Sequence, residues 1–201
     1  MLLKYLFSDP ILYIRVVVVL IFSISLHELG HGLAALSQGD DTPIKQGHMT
    51  MNPVVHMGIH SLFFLIIAGI AWGQMPVDPS KFRHPKWSNV LVSAAGPLTN
   101  ITLAIMAIVV INLSLFFGWD NIISLEFLRI IAIFNFALCL FNLIPIPPLD
   151  GFHIASELVP EMQILSGSPI GLALFMILFI TGLGGQLFVL AAQIVDLLII
   201  Y

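Results

Sequence analysis

The feature that most limits the fold of this chain is a long apolar segment that carries a compact polar cluster near its end. The segment Ile11–Ser37 contains the nearly unbroken apolar run Val16–Leu26, followed directly by His-Glu-Leu-Gly-His at positions 27–31. A helix of this length reaches about 40 Å, which is enough to cross a hydrocarbon core of about 30 Å. The segment therefore predicts a membrane-spanning helix with ionisable side chains inside the membrane.

The spacing of this polar cluster predicts a metal site. Positions i and i+4 share one face of a helix, so His27 and His31 can present their imidazoles to a single ion. Glu28 lies roughly 100° further round the helix, where it can act on a metal-bound water without being a ligand. Ionisable side chains in hydrocarbon are costly unless they are paired or bind a metal. The cluster therefore favours a functional role over the alternative, a purely structural polar cluster.

Composition places the whole chain among membrane proteins. Of its 201 residues, 59% are hydrophobic and only 9% are charged, against about 25% charged in a typical soluble domain. The net charge is −4 without a basic run, so no nucleic-acid partner is expected. Cys139 is the single cysteine, which excludes an intrachain disulfide and a cysteine-rich zinc site. The N-terminal residues lack the features of a signal peptide, so we expect the first apolar segment to be retained.

The other apolar segments predict an all-α polytopic membrane fold with about five or six transmembrane helices. Spans are expected at Ser88–Phe117 and Leu125–Ile144. The apolar residues 162–201 are broken at Gly182–Gly185, which predicts two marginal spans. The apolar run Ile59–Trp72 is shorter, and runs of about 10–14 residues are more often re-entrant or interfacial than spanning. We therefore expect a re-entrant or short helix there.

The polar connections predict smaller elements. Ile44–Asn52 is short and partly alternating and is closed by Pro53, which predicts a small strand or hairpin near the active site; a connecting loop is the alternative. An unpaired strand edge could bind an extended substrate. The sequence also predicts a turn at Gly118–Ser124 and a short amphipathic helix at Phe152–Pro160.

A second motif offers an acidic ligand. The segment Asn142–Gly151 has three prolines in four residues, which cannot continue an α-helix. Irregular backbone within a membrane is tolerated only where protein or a polar cavity surrounds it. Asp150 could complete a metal site with His27 and His31, and capping of a helix that begins at Gly151 is an alternative or additional role.

A shared metal site would constrain the topology. His27 and His31 lie near one membrane surface, and Asp150 returns to that surface only if Ile59–Trp72 does not cross. We call this surface the metal side. With two further spans, the C-terminus is expected on the metal side as well. The positive-inside rule then makes the metal side cytoplasmic and the N-terminus external. Four of the seven lysine and arginine residues are expected there: Lys45, Lys81, Arg83 and Lys86.

Together these motifs resemble the site-2 protease family of intramembrane zinc metalloproteases. The resemblance rests on His-Glu-Leu-Gly-His at 27–31, Ala-Gly-Pro-Leu-Thr-Asn at 95–100 and Asn-Leu-Ile-Pro-Ile-Pro-Pro-Leu-Asp-Gly at 142–151. A lone His-Glu-x-x-His is weakly specific, whereas its combination with an Asp-Gly motif in a second apolar segment is strongly specific. The similarity extends from about Ser25 to Gly151. Small size and the absence of a PDZ insertion resemble the prokaryotic branch, which implies a prokaryotic inner membrane.

The resemblance implies one zinc ion per chain, bound by His27, His31 and Asp150. It implies that Glu28 is the general base and then the proton donor, acting on a substrate helix of another membrane protein within the lipid bilayer. Asn142 matches the family asparagine thought to steady the reacting carbonyl, and an interhelical hydrogen bond is the alternative role.

Other polar residues are assigned lesser roles. We expect Asn100 and Asn135 to hold helices together and Gly96 to allow close helix contact. Where the family often has His-x-Asp-Pro, this chain has His-Met-Gly-Ile-His at 56–60, which leaves the role of that loop open. Of the histidines outside the motif, His56 is expected nearest the site. The others are expected to be interfacial or loop residues: His48, His60, His84 and His153.

We expect residues 1–201 to form one membrane metalloprotease domain, with a catalytic core at about 11–160 and a helical pair at about 162–201. Two alternatives belong to other functional classes. A zinc or ion transporter would place acidic or histidine residues at several depths along one path. A catalytically inactive homologue could act as a membrane chaperone, although the intact Glu28 argues against that.

Overall fold

The structure is a computed structural model that describes residues 3–119 and 124–200. Within these residues the chain is helical, with turns and extended connections but no strand. The helices, in chain order, are α1 (Leu3–Ser8), α2 (Pro10–Ser37), α3 (Thr42–Lys45), α4 (Pro53–Ala68), α5 (Pro85–Phe117), α6 (Leu125–Asn142), α7 (Asp150–Leu158), α8 (Pro169–Ile180) and α9 (Leu183–Leu198).

Three of these helices, α2, α5 and α6, are long and apolar enough to cross a membrane. A fourth crossing is possible if α8 and α9, which are bent by 53° at their junction, act as one span. The predicted all-α polytopic membrane fold is confirmed. The predicted number of five or six spans is wrong for the described residues, because the C-terminal pair supplies one bent crossing rather than two.

Apolar packing on two sides of α6 holds the bundle together. One buried cluster joins α5, α6 and α9 around Ile111, Ile133 and Val195. A second cluster joins α2, α4 and α6 around residues such as Val19 and Leu65. The helix α6 is therefore central, and its C-terminal end leads directly into the segment that carries Asp150.

The end of the bundle where α2 and α6 begin, which we call the far end, is held by ion pairs. Arg15 near the start of α2 contacts Glu126 in the first turn of α6. The side chain of Arg129 donates to both carboxylate oxygens of Asp196 near the end of α9, at 2.7 Å each. Both the first and the last spanning elements therefore have an end here.

The C-terminal residues also lie at the far end. The side chain of Asn112, near the end of α5, donates to the backbone oxygen of Leu198 at 3.0 Å and accepts from the backbone nitrogen of Ile200 at 2.9 Å. The prediction that the chain finishes on the metal side is therefore wrong. The glycine-containing break at Gly182–Gly185 bends one span instead of separating two.

The helix α4 and the extended chain after it form a hairpin. The hydroxyl of Ser61 donates to the backbone oxygen of Trp72 at 2.7 Å and accepts from its backbone nitrogen at 2.9 Å. The backbone nitrogen of Gln74 donates to the oxygen of His56 at 2.9 Å. The two ends of this element therefore lie together, as the re-entrant prediction for Ile59–Trp72 requires. The depth of the hairpin in lipid stays a prediction.

The strand or hairpin predicted at Ile44–Asn52 is wrong. Helix α3 ends at Lys45, and the following residues form turns and bends. Pro43, the second residue of α3, has a fixed φ, and Gly47 has a φ of +70°, a value suited to a turn. No neighbouring segment of the described chain pairs with these residues as a strand.

Two smaller predictions have different outcomes. The short amphipathic helix predicted at Phe152–Pro160 is confirmed as α7. The turn predicted at Gly118–Ser124 falls largely on residues 120–123, which lie outside the described residues. Gly118 itself ends α5 in the left-handed conformation, with a φ of +69°.

Candidate metal centre

Three side chains that are distant in sequence converge inside the bundle. The Nε2 atom of His27 lies 3.1 Å from Oδ2 of Asp150, and Nε2 of His31 lies 3.3 Å from Oδ1. The two Nε2 atoms are 3.0 Å apart. One possible ligand atom from each residue lies within 4.8 Å of the others. A single ion with ligand distances of about 2.0–2.2 Å can bridge atoms at such separations.

The segment before α7 brings Asp150 to the histidines. Asp150 is the first residue of α7, and Leu149 occupies the N-cap position without a side-chain capping bond. Asp150 is therefore not the cap of that helix, which removes the alternative role considered from the sequence. A Cβ atom on Gly151 would lie 2.2 Å from the backbone oxygen of Leu143, so the tight return of the chain requires glycine there.

The hydrogen bonds of the two imidazoles fix which nitrogen faces the centre. The Nδ1 atom of His31 lies 2.7 Å from the backbone oxygen of Val92, and Nδ1 of His27 lies 2.6 Å from Oδ1 of Asn100. Because a carbonyl oxygen can only accept, each Nδ1 carries the hydrogen. In the neutral imidazoles, both Nε2 atoms then present a lone pair to the centre, which is the arrangement usual for metal-ligating histidines.

The donor set fits a cation. The Oδ2 atom of Asp150 is buried and has no hydrogen-bond partner among the described residues. With both imidazoles neutral, the adjacent Nε2 atoms of His27 and His31 have no hydrogen to offer, so three acceptors meet without a donor from the described residues. A buried arrangement of this kind is costly unless a positive ion completes it. Two imidazole nitrogens and one carboxylate oxygen form a ligand set typical of catalytic zinc.

Glu28 lies beside the three converging residues and is buried, with 7% of its surface exposed. A Cβ atom on Gly73, in the extended chain after α4, would lie only 2.3 Å from Oε1 of Glu28. The α4 hairpin therefore covers Glu28, and it can do so only because residue 73 has no side chain. Gly73 belongs to none of the sequence motifs that pointed to the site.

Helix α5 forms the opposite wall. A Cβ atom on Gly96 would lie 2.4 Å from Nε2 of His31 and 2.5 Å from Nε2 of His27. The close contact expected at Gly96 is therefore present, and its partners are the imidazoles themselves. The position of this glycine in the Ala-Gly-Pro-Leu-Thr-Asn motif was the available signal.

The structure links Asn100 and Asn135 to each other and to the site. Asn100 contacts His27 as described, and its Nδ2 atom donates to Oδ1 of Asn135 at 2.9 Å. Both side chains are fully buried, with 0% exposed. The sequence predicted helix contacts for both residues but not that they contact each other.

Asn142 lies at the end of α6, where its Nδ2 atom donates to the backbone oxygen of Leu138 at 3.0 Å. It is not one of the three residues that converge at the metal centre. Its assignment to the reacting carbonyl stays a prediction.

His56 is buried, with 2% exposed, and its Nε2 atom lies 2.6 Å from the backbone oxygen of Thr50. Its Nδ1 atom is buried without a partner among the described residues. Because its backbone pairs with Gln74, next to Gly73, it lies on the Glu28 side of the centre, as expected. In the described chain, the remaining histidines join no group with metal-site spacing: His48, His60, His84 and His153.

Spanning helices around a buried group of two histidines and one aspartate define an integral membrane protein with a metallopeptidase-like centre. The sequence pattern of peptidase family M50 matches residues 15–124 and 118–183. The chain belongs to this family, the site-2 proteases.

The names of similar proteins agree with the family. YwhC of Bacillus subtilis (strain 168), provisionally named a zinc metalloprotease, is 35% identical over 190 residues, which cover 90% of this chain and 87% of YwhC. Rip2 of Mycobacterium tuberculosis (strain H37Rv), named in the same provisional way, is 30% identical over 77% of this chain and 63% of Rip2. Zinc metalloprotease MJ0392 of Methanocaldococcus jannaschii is 27% identical over 86% of this chain and 44% of its own length. No solved structure gives a significant match.

Proposed function

We propose that this protein is an intramembrane zinc metalloprotease that hydrolyses a peptide bond within or next to a transmembrane segment of a membrane-protein substrate. The observation that carries the proposal is the convergence of His27, His31 and Asp150, with one possible ligand atom from each within 4.8 Å of the others, inside a bundle of apolar helices. Glu28 lies beside them, on the side covered by the α4 hairpin.

In this proposal His27, His31 and Asp150 hold one zinc ion per chain. Bound zinc supplies a Lewis acid for the scissile carbonyl and makes water a better nucleophile at neutral pH. The protein residues keep the Nε2 lone pairs aimed at the ion through the bonds of the two Nδ1 atoms. Gly96 leaves the space that the two imidazoles occupy.

Glu28 acts as the base and then as the acid. Its carboxylate takes a proton from the water as the new carbon–oxygen bond forms, and returns it to the amide nitrogen as the carbon–nitrogen bond breaks. Asn142 is assigned to donate a hydrogen bond to the carbonyl oxygen as negative charge develops there. This role requires the Asn142 amide to leave the oxygen of Leu138.

The substrate must be locally extended, because the carbonyl groups of an intact helix are engaged in its own hydrogen bonds. The extended chain at residues 70–78 passes directly over Glu28 at Gly73. We assign the binding of the unwound substrate to this segment rather than to residues 44–52. Substrate entry then requires the α4 hairpin to move away from Glu28.

The orientation and domain organisation are also part of the proposal. All of residues 1–201 act as one domain in a prokaryotic inner membrane, and the metal centre opens toward the cytoplasm. The far-end cations Arg15 and Arg129 are paired with carboxylates. Lys45 and Lys81 on the side assigned to the cytoplasm are paired with aspartates as well, so the orientation rests on the number of cations, four of the seven in the chain.

A transporter is not favoured by the distribution of ligands. An ion path needs suitable groups at several depths, whereas the described residues contain one group of histidine and acidic side chains with metal-site spacing. A protease needs only that one centre with a base beside it.

The test compares wild type with Glu28→Gln in liposomes that contain a cleavable transmembrane substrate. Removing the base should lower the cleavage rate by at least about 100-fold, while zinc content stays at one ion per chain. Glu161→Gln, which changes an exposed glutamate before α8, serves as the matched control and should cleave normally. Zinc flux that persists in Glu28→Gln would favour the transporter, and a wild type that binds zinc without cleaving any substrate would favour the inactive homologue.

A further inference from the structure

A continuous series of buried hydrogen bonds leads away from the metal centre through three spanning helices. We call it the amide chain, and it consists of His27, Asn100, Asn135 and Ser23. From Asn135, Nδ2 donates to Oγ of Ser23 at 2.8 Å and to the backbone oxygen of Ile131 at 2.9 Å. With the bonds already described, the amide chain connects α2, α5 and α6.

The direction of the amide chain is fixed at its α6 end. The backbone oxygen of Ile131 can only accept, so the group of Asn135 that faces it must be the NH₂ group. That group has two hydrogens, and the second one goes to Ser23. The oxygen of the Asn135 side chain must therefore be the atom that faces Asn100.

The hydrogen-bond directions of the rest of the amide chain, up to the metal centre, follow in the same way. Since Oδ1 of Asn135 accepts, Asn100 must turn its NH₂ group toward it, which leaves Oδ1 of Asn100 facing His27. That oxygen accepts in turn, so Nδ1 of His27 carries the hydrogen at a separation of 2.6 Å. The lone pair of His27 is then on Nε2, toward Asp150.

We propose that Asn100 and Asn135 are positioning residues for zinc, which hold His27 in the one tautomer able to bind the ion. The inference rests on the proposed function, because it assigns zinc to the centre. His31 needs no such chain, since the backbone oxygen of Val92 sets its tautomer directly. If the Asn100 amide turned over, its NH₂ group would face His27 and the hydrogen would move to Nε2, where it blocks coordination.

The experiment measures zinc affinity by competition with a chelator, using the full chain in detergent. Asn100→Leu removes the acceptor for His27 and should weaken zinc binding by roughly 10–100-fold, the range usual for partners of metal-ligating histidines. Asn100→Asp keeps an acceptor oxygen at that place and should bind zinc within a few-fold of wild type. Asn112→Leu is the matched control, because it makes the same change in the same helix and removes two hydrogen bonds at the far end.

A second variant tests Asn135, the part of the amide chain that does not contact His27 directly. Asn135→Leu leaves the Asn100 side chain in place but frees its amide to turn. Zinc binding should weaken here as well, by less than in Asn100→Leu. Cobalt(II) in place of zinc gives a visible spectrum that reports the number of nitrogen ligands, and that spectrum should change in Asn100→Leu and not in Asn112→Leu.

The outcomes separate this inference from the proposed function. A wild type that binds no zinc would end the proposed function. A wild type that binds zinc, with Asn100→Leu within about twofold of it, would overturn the amide chain alone. Equal losses in Asn100→Leu and Asn100→Asp would also overturn it, because they would indicate a packing role. If Asn100→Leu does not fold, a wild-type affinity in Asn135→Leu overturns the inference and a weakened one supports it.

Discussion

The two ends of the helical bundle balance charged side chains in opposite ways. At the far end, Arg15 pairs with Glu126 and Arg129 pairs with Asp196, so each carboxylate has a cation from the protein. At the opposite end, which contains the metal centre and which we call the metal end, the carboxylate of Asp150 faces the Nε2 atoms of two imidazoles. When these imidazoles are neutral, no donor from the described residues reaches its Oδ2 atom. Apolar helices tolerate charge when it is neutralised. The metal end lacks that neutralisation within the described residues, and a bound cation would supply it.

Charge balance therefore distinguishes structural from functional polar groups in this chain. The far-end pairs join α2 to α6 and α6 to α9, which is sufficient reason for them to exist. The metal-end group joins α2 to α7 by contacts that are unfavourable without an ion. Three predictions test this contrast.

The largest effect is expected from removing one carboxylate charge at each end. Asp150→Asn should lower zinc affinity by more than the roughly 100-fold upper range for outer partners, because it changes a ligand itself. Asp196→Asn should keep one zinc ion per chain and lose only the ion pair with Arg129. Metal analysis and chelator competition on both proteins provide the measurement. Equal zinc in Asp150→Asn and wild type would remove Asp150 from the proposed site.

A smaller effect is expected from adding one methyl group at Gly96, compared with the same change at a glycine away from the metal centre. Gly96→Ala places a carbon within 2.5 Å of the facing imidazole nitrogens, so the histidines must move. A displacement of about 1 Å at a catalytic centre can cost about 100-fold in rate, and we expect a loss of that size in substrate cleavage.

The matched change is Gly185→Ala in α9. Nothing lies within 4 Å of the added carbon, and alanine stabilises helices relative to glycine by up to about 1 kcal/mol. This variant should cleave normally and unfold at the same or a slightly higher temperature. A fully active Gly96→Ala would contradict the close packing of α5 against the histidines.

The contrast also explains which features the sequence could predict. The spacing of His27, Glu28 and His31 is local, because one helical turn determines it. Asp150 could be named as a candidate ligand from the motif that ends α6, and the family resemblance implied its role. Asn100 and Asn135 could be placed at depth in the membrane, but their contact depends on the rotation of α5 against α6, which no local pattern specifies.

The predictions that failed concern features that are determined by contacts between residues distant in sequence. The break at Gly182–Gly185 fits either a loop between two spans or a bend in one. The contacts of Asp196 and Asn112 with the far end decide for the bend. Residues 44–52 have a strand-like pattern but no partner segment among the residues that the structure describes. The extended chain that covers Glu28 comes instead after α4.

The smallest effect concerns Asp40, a carboxylate near the metal end that the protein satisfies without an ion. It is fully buried between α2 and α3, and it accepts from the backbone nitrogens of Thr42 at 2.9 Å and Asp78 at 2.7 Å. Burial alone would raise the pKa of Asp40, but these hydrogen bonds and the nearby Lys81 hold it below its ordinary value of 3.8.

A carboxyl group whose pKa is lower in the folded protein stabilises the fold above its ordinary pKa, and this stability is lost as the pH falls through the folded value. Wild type should therefore lose stability as the pH falls below about 4, and Asp40→Asn should be less stable at neutral pH but less sensitive to acid. Thermal unfolding against pH, with zinc removed from both proteins so that metal release does not contribute, measures the difference. Parallel curves for the two proteins would mean that Asp40 is not held by these bonds. A shallower curve for Asp40→Asn would mean that these hydrogen bonds do stabilise the Asp40 carboxylate. The protein then satisfies one carboxylate near the metal centre by itself, and the missing donor is specific to Asp150.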